Sequence, residues 1–208
     1  TKKEKRKIFP DFRILFSSPI IFSLIIVSFT IQVANTTVNP IMPLFLRKIV
    51  AGTFYENFLG SATGIVLAAG DLSTDIASII SGKISPRIGY WKTLTCCLAL
   101  GCVSLIPQAF TTKLWQLVVI HCFASFFIGG AVPLIQAMLA TNCDRGHQGS
   151  LFGLNTSISS GGAALCPLIG STAALISYRA VFPVTALILG ISSIGIFRRQ
   201  VRKTSVLK

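Results

Sequence analysis

The chain has 208 residues, 52% of them hydrophobic and 12% charged, with 19 Lys and Arg against six Asp and Glu and a formal net charge of +13. Soluble domains carry about 25% charged residues, so composition excludes an ordinary water-soluble domain and makes a bilayer the expected solvent. The charge does not point to nucleic acid, because the basic residues gather at the two ends and in short gaps, not in a patch interleaved with aromatics.

Residues 1–18 form a basic tail, and six mostly apolar runs follow. The first predicted span is Pro19–Leu46, the second Phe58–Ser81 and the third Thr93–Ala109. The fourth is Leu114–Ala140, the fifth Ser150–Ser177 and the sixth Ala180–Phe197, with a second basic tail over 198–208. Each offers roughly the 20 apolar residues that a helical crossing requires. The N-terminal basic run leads into spans far longer than the apolar core of a signal peptide. Six crossings put both ends on one side. That side collects 15 of the 19 Lys and Arg, and the other holds Arg47, Lys48, Lys113 and Arg179. The positive-inside rule then makes both termini cytoplasmic.

Polar content sorts the spans. The first carries Gln32, Asn35 and Asn39, spaced i, i+3, i+7 along one helical face. The second carries Asp71, Thr74 and Asp75, the fourth His121 and Gln136, and the fifth Asn155, Thr156 and Ser157. The third and sixth have no ionisable side chain beyond cysteine. Unpaired polar groups do not face lipid. Spans one, two, four and five should therefore surround a polar interior, with three and six outside.

Asp71 lies near the expected bilayer midplane and Asp75 one turn closer to the cytoplasm. A charged group at a helix centre costs about 2.5–3.5 kcal/mol and usually marks a proton or substrate pathway. Proton coupling is one reading. Pairing of Asp75 with Lys83 or Arg87 is a second, and drift in a chain that no longer transports is a third. His121 suits a proton relay or a hydrogen-bonded packing role. Asn35 and Asn155 suit cavity lining or interhelical bonding. Gly161, Gly162, Pro167 and Gly170 suit close packing or a hinge. Five of the six cysteines sit in apolar runs without zinc-ligand spacing and read as packing residues. No nucleotide-binding loop, nucleophile–base pair or metal cluster is legible, so no cofactor, metal or enzymatic chemistry is expected.

"GKISPRIGYWK", Gly82–Lys92, resembles the loop signature G-x-L-A-D-R-x-G-R-K of the major facilitator superfamily. Gly82, Ile84, Arg87 and Gly89 match, and Pro86 replaces the signature Asp. "GGAALCPLIG" resembles the family pattern G-x-x-x-G-P-x-x-G of helix 11, matching at Gly162, Pro167 and Gly170, with Cys166 in place of the central Gly. "IQVANTTVNPIMPLFLRKI", "GSLFGLNTS" and "YRAVFPVTA" resemble the MdtG-type multidrug efflux branch. The resemblance implies an all-α membrane protein whose six transmembrane helices form the C-terminal half of a major facilitator fold. It implies a secondary transporter, a drug:proton antiporter of the bacterial inner membrane, acting on a small-molecule substrate. An N-terminal six-helix half would complete the site, which lies between halves. The chain starts at Thr1, inside what resembles the linker between halves, so a fragment of a longer or split product is expected. The alternative is a non-transporting remnant or an interaction subunit.

Overall fold

Ser18 and Pro19 set the start of the first helix. The Ser18 hydroxyl accepts a hydrogen bond from the Ile20 N–H at 3.3 Å, and Pro19 follows where its missing N–H costs nothing. A computed structural model describes residues 18–52, 54–143, 146–176, 179 and 181–206, and side chains within 18–52, 55–143, 146–164, 179 and 181–196. The expected N-terminal tail and the gap cation Arg145 lie outside the described residues.

The elements are α1 (Pro19–Val38), α2 (Met42–Val50), a 3₁₀ turn (Phe54–Phe58), α3 (Leu59–Ile88), α4 (Tyr90–Gln108), α5 (Leu114–Thr141), α6 (Gln148–Ile176) and α7 (Val181–Val206). No strand occurs among the described residues. The stretches Pro19–Val50, Tyr55–Ile88, Tyr90–Gln108 and Leu114–Thr141 are long and apolar enough to cross a membrane. Helices α6 and α7 have 29 and 26 residues.

Three expected boundaries are corrected. The first span is two helices, because Pro40 interrupts the helical ladder and the chain turns through Asn39–Ile41 before α2 starts. The second span does not end at Ser81. Its 30 residues run about 45 Å at 1.5 Å each, against a hydrocarbon core of about 30 Å, so polar composition marks where lipid ends and not where the helix ends. The expected Gly82–Lys92 loop is therefore helix on both sides of Gly89. Gly89, at φ 105°, donates to the Ser85 carbonyl at 2.8 Å and accepts from the Thr93 N–H at 3.1 Å, closing one helix and opening the next. Likewise the backbone of α7 stays helical past Phe197 to Val206.

Helix α5 packs most extensively against α3 and then α4. Helix α4 also packs on α7, and α1 sits between α6 and α7. Helices α1 and α5 touch sparsely. Two cores fix this arrangement. One joins Leu24, Ile31, Leu98, Leu134, Leu151 and Leu189; the other joins Met42, Leu46, Val66 and Leu117 with Phe45 edge-on to Phe182 at 5.1 Å. Lipid removes the usual hydrophobic drive between helices, so close packing of small residues takes its place. At Gly70 an added Cβ would lie 2.7 Å from His121 Nε2, and at Gly129 it would overlap the Thr74 side chain. These two glycines let α3 and α5 approach. Ile65, Leu72, Ile79, Val103, Leu187 and Ile191 are exposed on the outside, as a lipid-facing surface requires.

Candidate functional site in the α1–α5 seam

Hydroxyls inside the helices are mostly satisfied locally. Ser23, Thr30, Thr63, Ser73 and Thr185 each donate to the carbonyl four residues back, so they need no polar cavity. The remaining polar groups converge on the sparse seam between α1 and α5. Two cavities lie there, and Val132 lines both.

The first cavity holds about 160 Å³. Asn35 and Asn39 come from the end of α1, Asp71 and Thr74 from the middle of α3, and His121 and Ser125 from α5. The i, i+3, i+4 spacings place each set on one helical face. Asn35, Asn39 and Asp71 are exposed at its open side, while His121 is buried. Thr74 Oγ1 donates to the Ser125 carbonyl at 3.2 Å and ties the wall together. The Gln108 amide donates to His121 Nδ1 at 3.0 Å, which places the proton of a neutral ring on Nε2. The Asp71 charge acts on that ring, and no ion pair neutralises Asp71 among the described residues. The site thus offers one unpaired carboxylate, one oriented imidazole and two amides.

The second cavity, about 250 Å³, is lined by Ser28, Gln32, Gln136, Asn155, Thr156 and Ser159 from α1, α5 and α6. Asn155 is 3% exposed and its Oδ1 has no hydrogen-bond partner among the described residues. An orphaned buried acceptor costs about 1–3 kcal/mol, a cost that a hydrogen-bond donor in the cavity would offset.

The structure brings together Asn35, Asn39, Asp71 and His121 in one cavity and Gln32 and Asn155 in the other. Asp75 lines neither, is exposed, and forms no ion pair with Lys83 or Arg87 among the described residues. Gly82 and Arg87 lie on the last turns of α3, away from both cavities. Gly162 is buried, with an added Cβ 2.5 Å from the Phe29 ring, whereas Gly161 faces open space. Helix α6 runs unbroken through 167 and 170, and the side-chain surroundings of Pro167 lie outside the described residues.

The four expected spans do not close round one cavity: the first, second and fourth line the first cavity, the first, fourth and fifth line the second, and the third and sixth do not stay outside. Leu105 and Thr185 reach the first cavity from the third and sixth spans. Gln108, fully buried at the end of α4, was missed because it opens the polar run before Lys113 and reads as a helix end. Ser125 was missed because a hydroxyl in a helix gives no sequence sign of whether it faces its own carbonyl or a cavity.

A bundle of apolar helices enclosing a polar seam, open on one side, is the architecture of half a secondary transporter. Residues 24–208 match the Major Facilitator Superfamily profile, and the chain belongs to that family as an all-α membrane protein. It is 31% identical over 179 residues to the multidrug resistance protein MdtG of Serratia proteamaculans, covering 86% of this chain and 43% of the relative. The MdtG proteins of Dickeya zeae and Yersinia enterocolitica are 31% and 30% identical, covering 84% and 86% of the chain and 42% of each relative. The chain spans less than half the length of these curated relatives.

Proposed function

We propose that the chain works as the C-terminal half of a transporter that exports lipophilic small molecules in exchange for protons. The observation that carries this reading is the Asp71 carboxylate, without an ion pair among the described residues, beside His121 in a cavity of the apolar bundle. Intramembrane carboxylates are expensive and mark ion pathways. The name of the relatives, multidrug resistance proteins, supports a lipophilic drug-like cargo. Asn35, Asn39, Gln32 and Asn155 supply neutral hydrogen-bonding anchors, and an N-terminal six-helix half supplies the facing wall. Gly162, with Pro167 and Gly170 further along α6, serves close packing on α1 and the bending of that helix between access states.

The test uses the assembled transporter, both halves present, in proteoliposomes. An acid-inside pH gradient should drive uphill uptake of a lipophilic cationic dye. Uptake that survives collapse of the gradient by nigericin eliminates proton exchange. Absence of any uptake leaves the remnant or interaction-subunit reading.

The 15-to-4 charge bias supports cytoplasmic termini in a bacterial inner membrane. In a variant without the native cysteines, Lys83→Cys should react with an impermeant maleimide only from the cytoplasm and Lys113→Cys only from outside. The reverse pattern would overturn the orientation.

A further inference from the structure

A third cavity lies between α3, α4 and α5, and differs from the other two in chemistry and direction. It holds about 350 Å³ and is walled by Ala77, Ile80, Ile84, Cys96, Phe126 and Phe127, with Lys92 at one end. Phe126 and Phe127 pack edge-on at 5.4 Å and form its floor. Ile80 is nine residues after Asp71, and Gly130, another wall residue, is nine after His121. At 100° per residue, nine residues are two and a half turns, a net rotation of half a turn. Helix α5 thus presents this groove on the side opposite to the polar seam, and α3 presents it on a neighbouring face, with Ala77, Ser81 and Ile88 about 80–120° round from Asp71. The groove shares no lining residue with either seam cavity, and its rim residues Ile80, Ile84 and Ile88 belong to the exposed apolar surface.

Its rim carries unbalanced positive charge. Lys92 lies in the first turn of α4; Arg87 follows Ile80 by seven and Ile84 by three, on the same stripe of α3; Lys83 is one turn earlier. All three are exposed. Residues 76–143 contain no Asp or Glu, and none of the three cations has an ion-pair partner among the described residues. The basic cluster lies where α3 outgrows the hydrocarbon core, at headgroup depth.

We propose that this groove binds an anionic phospholipid of the leaflet that holds Lys83, Arg87 and Lys92. One acyl chain occupies the slot over Phe126 and Phe127, and the phosphate is bound by Lys92 with Arg87 and Lys83 around it. Apolar walls exclude a polar ligand, and the three cations select a negative headgroup over a zwitterionic one. The site does not depend on transport and holds equally for a chain that carries no substrate.

The test places the chain in nanodiscs of equal phosphatidylglycerol and phosphatidylcholine and counts the lipids that remain bound by native mass spectrometry. Retained phosphatidylglycerol should exceed phosphatidylcholine. Lys92→Gln should reduce that preference about fivefold, the effect of one surface cation on an anionic lipid, and Lys92→Arg should keep it. Ile84→Trp, which fills the groove from an exposed rim position, should lower retention of both lipids. Truncation after Phe197 removes the second basic cluster and should change nothing. The proposal is overturned if retained lipid mirrors the disc composition, if Lys92→Gln keeps the preference, if the truncation abolishes it, or if adding the N-terminal half displaces the lipid.

Discussion

Asp71→Asn is expected to abolish proton-driven uphill transport while substrate exchange continues. The amide keeps the shape of the side chain but carries no titratable proton. Asp71 lines the cavity beside His121 with no ion pair among the described residues, so the substitution breaks no ion pair there. The assay is the two-half proteoliposome system under an acid-inside gradient, with counterflow of labelled substrate as the control. Uphill accumulation should fall to the level of protein-free vesicles, and counterflow should persist. Full accumulation by the variant removes Asp71 from the proton path. Asp75→Asn is the comparison. Because Asp75 is exposed and bridges neither Lys83 nor Arg87 among the described residues, its stability effect should stay within about 0.5 kcal/mol.

Gly129→Ala is expected to destabilise the bundle by about 1–3 kcal/mol, the usual cost of overpacking. The new Cβ overlaps Thr74. Thr74 cannot swing away without losing its bond to the Ser125 carbonyl, and α3–α5 is the most extensive contact in the chain. The adjacent Gly130 provides an internal control, since its added Cβ meets nothing closer than 3.5 Å. Gly130→Ala should leave thermal unfolding in detergent unchanged, while Gly129→Ala lowers the midpoint. Equal midpoints for the two variants would contradict the close approach at Thr74.

Most of the architecture was legible because a bilayer imposes a coarse rule. Long apolar runs become helices, and polar side chains within them turn inwards. Asn35, Asn39, Asp71 and His121 converge on one cavity for that reason. The helix ends were less legible, since composition reports the edge of the hydrocarbon and the backbone ladder ignores it. Residues 82–88 are polar enough to read as a loop yet are helical. Pair contacts were not legible at all. Nothing in the spacing of Gln108 and His121 shows that their side chains meet at 3.0 Å, and the pairing of Asp75 with Lys83 or Arg87, one of the readings open in the sequence, is not formed among the described residues.

Gly89 leaves no slack between α3 and α4. With a single residue at the corner, two Cα–Cα steps of about 3.8 Å each separate one helix from the next. A displacement of α3 along its axis has only the Gly89 backbone to absorb it before it reaches the head of α4. Since α5 is clasped by both, the three helices answer a load as one lever arm, and the compliant joint of the bundle is the sparsely packed line between that arm and α1.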